Sequence, residues 1–262
     1  MEENILKPRK IDICLCAKNR IDTIAIVLSK IDNMIKNLDC NVIIVDGYSS
    51  DATLTHMINF RNAHNDNCVI KQTKDNQSYI DAYNLAMSLT VSEYVAWIDS
   101  DDLCDKDKLK IQAEYLDNNK DIDVVSCSVY FSKTEAIGNT LIEFNNDQFT
   151  HALKTKSPML SLCHFQSCMF RRYCLKMFKN NIYFYPEYIG GFAGEGFLYT
   201  LHFKGKKFAN LASTYYIYNR GVLQNSLSNI LEPVYANSVN ELEYDDKKKE
   251  ILRLFKKYNS TK

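Results

Sequence analysis

The chain has 262 residues, of which 46% are hydrophobic and 24% charged, enough for one large domain with a substantial core. Its 32 Lys and Arg balance its 32 Asp and Glu, so the net charge is zero, which argues against a nucleic-acid binder. Nine cysteines, none in a CxxC pair, read as reduced buried thiols of a cytosolic protein.

Met1–Lys10 is polar and carries no apolar leader. Ile11, Ile13 and Leu15 alternate with Asp12, Cys14 and Cys16, which predicts a strand. Ile24, Val27, Leu28, Ile31, Ile35 and Leu38 recur at helical spacing, with Asp22 or Thr23 as the expected cap. Val42–Val45 reads as a strand buried on both faces, and Leu54, Met57 and Ile58 mark a second helix. Cys68–Ile70 predicts a third strand, and Ile80, Tyr83 and Met87 a third helix. Tyr94–Ile98 is the fourth strand, a helix follows around Leu109–Leu116, and Val124 begins a fifth strand. Strands buried on both faces and alternating with helices imply a mainly parallel α/β sheet wrapped by helices, with ligands beyond the carboxyl ends of the strands.

The second half is less regular. A strand is expected near Cys163–Phe170, a short helix over Arg172–Phe178, a helix over Glu195–Phe203, and strands at Phe208–Leu211 and Tyr215–Tyr218. Gly190, Gly191 and Gly194 cluster beside aromatics, which suggests a binding wall. Residues 1–230 read as one domain, with a nucleotide half over about 10–130 and an acceptor half over about 131–230. Residues 231–262 read as a helical, basic C-terminal appendage.

The most informative stretch is Asp99-Ser100-Asp101-Asp102, directly after an apolar strand. Three acids in four residues repel one another unless a cation or strong donors neutralise them. In extended chain Asp99 and Asp101 point the same way, and hard carboxylate oxygens suit Mg²⁺ or Mn²⁺ shared with a substrate phosphate. The alternative is a polar turn whose last Asp caps the next helix.

Taken in order, several segments resemble the GT-A glycosyltransferases, specifically the inverting family 2. Cys14–Arg20 looks like that family's opening strand with its Asn-Arg turn, and Ile43–Thr53 like its Val-Asp-Asp/Gly-Gly-Ser-Thr-Asp stretch. Tyr79–Asn84 resembles the segment before the metal strand, and Asp99–Asp102 matches the DxD motif. His164–Arg172 resembles the acceptor-side strand, Gly194-Glu195-Gly196 stands where the family has Glu-Asp, and Tyr218-Asn219-Arg220 with Ser226–Ser228 resembles its closing segment.

The resemblance implies a GT-A fold, a UDP-sugar donor and a divalent cation, Mn²⁺ or Mg²⁺. It implies that Asp101 and Asp99 hold the metal, that Asp46, Asp81, Asp99 and Arg220 contact the nucleotide, and that Glu195 is the base in place of the family's Asp. The expected acceptor is a hydroxyl of a surface glycan or a lipid-linked saccharide. The alternatives are a GT-A nucleotidyltransferase or a non-catalytic relative that binds nucleotide or glycan. No apolar run approaches the roughly 20 residues that cross a bilayer, so the expected location is cytoplasmic. Ile251, Leu254, Phe255 and Tyr258, flanked by lysines, would let the tail dock peripherally on the inner face of the membrane.

Overall fold

The computed structural model describes residues 6–132, 140–142, 164–186, 193–219 and 244–259. The elements run β1 (Ile11–Ala17), α1 (Ile21–Ile35), β2 (Cys40–Asp46), α2 (Thr53–Ala63), β3 (Cys68–Gln72), α3 (Tyr79–Ser88), β4 (Tyr94–Trp97), β5 (Leu103–Cys104) and α4 (Lys108–Asn118). They continue with β6 (Val124–Ser132), β7 (Thr140–Ile142), β8 (Met169–Arg171), α5 (Ala193–Phe203), β9 (Phe208–Asn219) and α6 (Tyr244–Asn259). Among the described residues the strands form one nine-stranded sheet in the order β3-β2-β1-β4-β8-β6-β9-β5, with β7 paired to β6.

The first half is the expected α/β unit. β1 pairs in parallel with β2 and β4, and β2 with β3. The second half departs from a mainly parallel sheet. β8 runs antiparallel between β4 and β6, and β5 is antiparallel to β9, so the sheet is mixed. The two strands expected at 208–211 and 215–218 are one strand, paired in parallel with β6 across an irregularity opposite Cys127 and Ser128. The strand expected from Cys163 is a 3₁₀ turn, Phe165–Ser167, followed by the three residues of β8.

Helices cover both faces of the sheet. On one side Ile24, Val27, Leu28 and Ile31 of α1 pack with Met57 and Phe60 of α2 and Leu109 and Leu116 of α4. On the other, Trp97, Phe165, Phe170, Phe178, Phe184 and Phe197 form an aromatic core with α3, α5 and α6. Ring centroids there lie 5.1 Å (Phe170–Phe197) to 6.0 Å (Trp97–Phe184) apart, the spacing of favourable aromatic pairs.

α6 carries a correction. The apolar face expected to meet a lipid surface packs into the protein instead. Ile251 and Leu254 are fully buried in the aromatic core. The Phe255 ring meets Phe178 at 5.8 Å and Tyr258 stacks on Tyr185 at 5.7 Å. Burying side chains of this size contributes about 1.5–3 kcal/mol each. Lys248, Lys249, Lys256 and Lys257 remain exposed. Among the described residues no helix is long and apolar enough to cross a membrane.

Six of the seven residues of β1 are buried, the charged Asp12 among them. Asp12 lies inside because neutral donors from two segments, Asn41 and Val91–Ser92, satisfy it. It accepts from the backbone of Val91 at 2.5 Å and Ser92 at 2.7 Å, the Ser92 hydroxyl at 2.5 Å and Asn41 Nδ2 at 2.9 Å. This knot ties the starts of β1, β2 and β4 together and leaves their carboxyl ends to carry ligands. The eight described cysteines are free thiols, and burial pushes Cys40, Cys68, Cys127 and Cys174 up to about 12.

Candidate functional site

At the carboxyl ends of β1 and β2 two loops are stitched to each other. Asp51 Oδ1 accepts from the Thr53 N–H at 2.9 Å and Oδ2 from the Ile21 N–H at 3.2 Å, so one side chain caps α2 and α1 together. The expected caps of α1 do other work or none: Thr23 Oγ1 donates to the Ser100 carbonyl at 2.8 Å, and no side chain caps α1 from its own N-terminus. Asn19 Oδ1 accepts from the Ser50 N–H at 2.8 Å, and the Asn19 N–H donates to Ser49 Oγ at 3.0 Å. A Cβ on Gly47 would lie 2.9 Å from Lys18 Cβ, so the loops approach more closely than another residue allows.

Asp46, the last residue of β2, is fully buried. Its Oδ1 accepts from Ser49 Oγ at 2.5 Å, and its Oδ2 accepts from the Ser49 N–H at 3.0 Å and Gln72 Nε2 at 2.7 Å. The nucleotide contact expected of Asp46 must therefore share a carboxylate that already shapes its loop. Asp81 also has a local task. It completes a capping box with Ser78, whose N–H and hydroxyl donate to its Oδ2 at 2.7 and 2.8 Å.

The acid cluster forms at the end of β4, though not as an extended segment. The chain turns after Asp99, with the Asp102 N–H donating to the Asp99 carbonyl at 3.4 Å. That turn brings the carboxylates of Asp99, Asp101 and Asp102 within 4.8 Å of one another. Asp102, which the strand argument left out, is thus part of the cluster and does not cap α4, whose first turn begins at Lys108.

Residues far away in sequence hold this geometry. The Tyr216 hydroxyl accepts from the Asp99 N–H at 3.2 Å and donates to Asp102 Oδ2 at 2.8 Å. The pairing of β5 with β9, which sets Cys104 opposite Tyr216, puts it there. Gln166 Nε2 donates to Asp99 Oδ2 at 2.6 Å, and Trp97 Nε1 donates to Asp99 Oδ1 at 2.9 Å. The antiparallel register of β8 on β4, continued past Met169 and Ala96, carries Gln166 to Asp99. Arg20 Nε lies 3.8 Å from Asp101 Oδ2.

The electrostatics follow. Burial, then the neighbouring Asp101 carboxylate, push the Asp99 carboxyl up to about 7, against the hydrogen bonds from Gln166 and Trp97 and the Arg20 charge. Burial also raises Asp101, and Arg20 opposes it. Three crowded hard oxygens, with charge that protein donors only partly relieve, fit a divalent cation better than an organic group. Asp101, raised by burial, has the Arg20 guanidinium beside it as an ion-pair partner.

Glu195 lies in the first turn of α5 and is 5% exposed. Gly194 fixes its place, because a Cβ there would stand 2.4 Å from Phe165 Cβ. α5 therefore begins flat against the 3₁₀ turn whose next residue, Gln166, holds Asp99. Arg220, Gly190 and Gly191 lie outside the described residues. Arg20, Gln166 and Tyr216 are the members to which sequence reasoning gave no role, and Asp102 was counted among the acids but not among the metal ligands. The Asn-Arg turn held Arg20 and the quoted His164–Arg172 segment held Gln166, but neither stretch said that its side chain would reach the acids.

A family model described as glycosyl transferase family 2 matches residues 12–178. An uncharacterized glycosyltransferase of Rickettsia bellii is 25% identical over 151 residues, which is 57% of this chain and 21% of that protein. The chain thus spans about a fifth of the length of the curated relatives it matches. Among solved structures, Staphylococcus aureus TarS 1–349 in complex with UDP-GlcNAc superposes with a TM-score of 0.64 at 18% identity, covering 94% of this chain and 71% of that one. The mannosyltransferase PcManGT of Pyrobaculum calidifontis, in complex with GDP-Man and Mn²⁺, gives 0.59 at 14% identity, covering 94% and 69%. At these identities the likeness establishes the fold, a GT-A-type mixed sheet flanked by helices.

Proposed function

From the premise that the chain belongs to glycosyl transferase family 2, we propose that it moves a sugar from a UDP-sugar to an acceptor hydroxyl with inversion, and that the acid cluster at the end of β4 holds Mn²⁺ or Mg²⁺. The observation that carries this reading is the meeting of Asp99, Asp101 and Asp102 within 4.8 Å. The solved structures of TarS and PcManGT, similar in fold, are in complex with UDP-GlcNAc and with GDP-Man and Mn²⁺ respectively, which supports the donor class and the metal.

When bound, the cation supplies positive charge to the leaving diphosphate. Asp101 and Asp99 are its ligands, with Asp102 braced by Tyr216 beside them. Asp46 holds the nucleoside through the one lone-pair site that its three hydrogen bonds leave open. Asp81 and Arg220 belong to the same nucleotide side, Arg220 as a charge partner of the diphosphate. Glu195 accepts the proton of the attacking hydroxyl on the opposite face of the sugar. The acceptor is a surface glycan or a lipid-linked saccharide, reached in the cytoplasm. Because the apolar face of α6 is packed inward, contact with an anionic membrane would rest on its exposed lysines and weaken with salt.

Hydrolysis of UDP-sugars, followed with Mn²⁺ and with a chelator, tests the reading. Release of UDP only with the metal supports it. Glu195→Gln should lower acceptor-dependent turnover by about 10²–10⁴-fold while UDP affinity stays within about two-fold of wild type. Metal-independent turnover, or a fully active Glu195→Gln enzyme, contradicts the assignment.

A further inference from the structure

Lys108 is a buried charge that its surroundings leave without a hydrogen bond. Lysines are almost never fully buried unless paired. Lys108 opens α4, is fully buried, and is the one buried lysine among the described residues. Its Nζ has no hydrogen-bond partner. Arg171, also buried, shows the opposite case: its Nε donates to the Ile122 carbonyl at 2.9 Å and its Nη2 to the Leu116 carbonyl at 2.6 Å. An ammonium buried without such partners is costly unless opposite charge stands within reach of its field.

That opposite charge is the acid cluster, and Tyr216 joins the two. Lys108 Nζ lies 5.7 Å from the centroid of the Tyr216 ring, close enough for the ring face to relieve part of the charge. The hydroxyl of the same ring donates to Asp102 Oδ2 at 2.8 Å and accepts from the Asp99 N–H at 3.2 Å. Cys104 feels both sides: burial pushes its thiol up to about 11, Lys108 opposes the rise, and Asp105 and Asp102 add to it. Arg20 meets the cluster from the β1–α1 loop, 3.8 Å from Asp101 Oδ2, with its side chain 12% exposed. Lys108 is instead shut in behind Tyr216. A side chain with no exposure touches neither donor nor acceptor, so it acts on the site through its charge alone.

We propose that Lys108 is a positioning residue of the metal site, a fixed counter-charge that acts across Tyr216. It offsets the repulsion among the three carboxylates while no cation is bound, and it loosens their hold on a divalent cation so that the cation exchanges. The proposal rests on the metal reading above and deepens it. Across a tyrosine ring and its hydroxyl, roughly 10 Å, repulsion between one charge and a divalent cation changes affinity about 4-fold at the dielectric of water and about 200-fold at an effective value of about 20.

The test measures Mn²⁺ binding to the 262-residue chain at about pH 8, where the carboxylates are ionised, by loss of the free-ion paramagnetic resonance signal. Lys108→Met and Lys108→Gln, both neutral, should each bind Mn²⁺ at least about 4-fold more tightly than wild type. That ratio should persist from about 0.05 to 0.5 M salt, because buried charges are screened little. Lys106→Met, which removes an exposed lysine on the same segment, should stay within about two-fold of wild type. A fixed amount of Mn²⁺ should raise the melting temperature of the Lys108 variants more than that of wild type. If Lys108→Met does not fold, Lys108→Gln decides. A smaller gain in the folded variants, or weaker binding, overturns the role of Lys108 and leaves the metal reading standing. A gain with Met but not Gln overturns it as well, since shape and not charge would be the cause. Loss of fold in both variants makes Lys108 a structural member and also overturns it. Wild-type protein that binds no Mn²⁺, with or without UDP, overturns both readings.

Discussion

Two ends of the same sheet bury carboxylates in opposite ways. At the amino ends of β1, β2 and β4, Asp12 is wholly inside and accepts four hydrogen bonds from neutral donors. Nearby, Lys10 meets Glu93 at 2.8 Å and Asp117 at 2.7 Å. That end is closed. At the carboxyl end of β4, three carboxylates crowd together, and the cation nearest them by ion pairing is Arg20, at 3.8 Å. Burial that is fully compensated contributes structure; burial that leaves like charges in conflict holds strain that a bound cation relieves. The difference separates a structural acid from a functional one without any appeal to a motif.

The comparison breaks most visibly in a pair of variants. Asp12→Ala takes the acceptor from the Val91 and Ser92 N–H groups and the Ser92 hydroxyl, while Asn41 Nδ2 keeps the Lys7 carbonyl at 3.0 Å, and should cost about 3 kcal/mol, lowering the melting temperature by roughly 10 °C in a chain of this size. Asp101→Asn removes one of the repelling charges, and should leave the melting temperature of the chelated protein equal or raised while sugar transfer falls about 10³-fold. Thermal denaturation beside turnover checks both. If Asp101→Asn were the more destabilising of the two, the carboxyl-end acids would be structural and the contrast would fail.

A smaller effect sharpens the contrast by pH. The folded-state pKa of Asp99 is raised to about 7, mainly by burial and then by Asp101, above the unfolded value of about 3.9. The folded state then holds its proton more tightly than the unfolded state. The stability from Asp99 is complete below about pH 4 and is lost as pH rises toward about 7. In the presence of chelator, denaturation midpoints should decline across that window, and the decline should shrink in Asp99→Asn. Added Mn²⁺ should restore more stability at pH 8 than at pH 5.5, because only the ionised carboxylate is a ligand. A metal effect that is larger at the lower pH would contradict the assignment.

The two ends also differ in how much of them the sequence revealed. The strand-helix alternation of the first 130 residues was legible because each element repeats its own apolar period. The acid tetrapeptide was legible because its residues are adjacent. Gln166 and Tyr216 were not. They stand 67 and 117 residues from Asp99 and arrive through the β8 and β9 registers, which no local pattern encodes. The burial of Asp12 was hidden for the same reason. Its donors, Asn41 and Ser92, are 29 and 80 residues away, so alternation along β1 could not show that a charged side chain would be buried. The face of α6 misled in another way. Its apolar stripe was read correctly, but amphipathicity alone does not distinguish a membrane from the protein's own core as the surface that covers it.

The central claim, that the acids beyond β4 bind a cation together with the donor's diphosphate, is tested most directly by measuring Mn²⁺ binding through the loss of the free-ion paramagnetic resonance signal, with and without UDP. The account predicts that each ligand tightens the other at least tenfold, a reciprocal coupling of about 1.4 kcal/mol, and that Asp101→Asn abolishes the coupling while the protein stays folded. UDP that binds equally well with Mn²⁺ and with chelator, or coupling that survives Asp101→Asn, would contradict it.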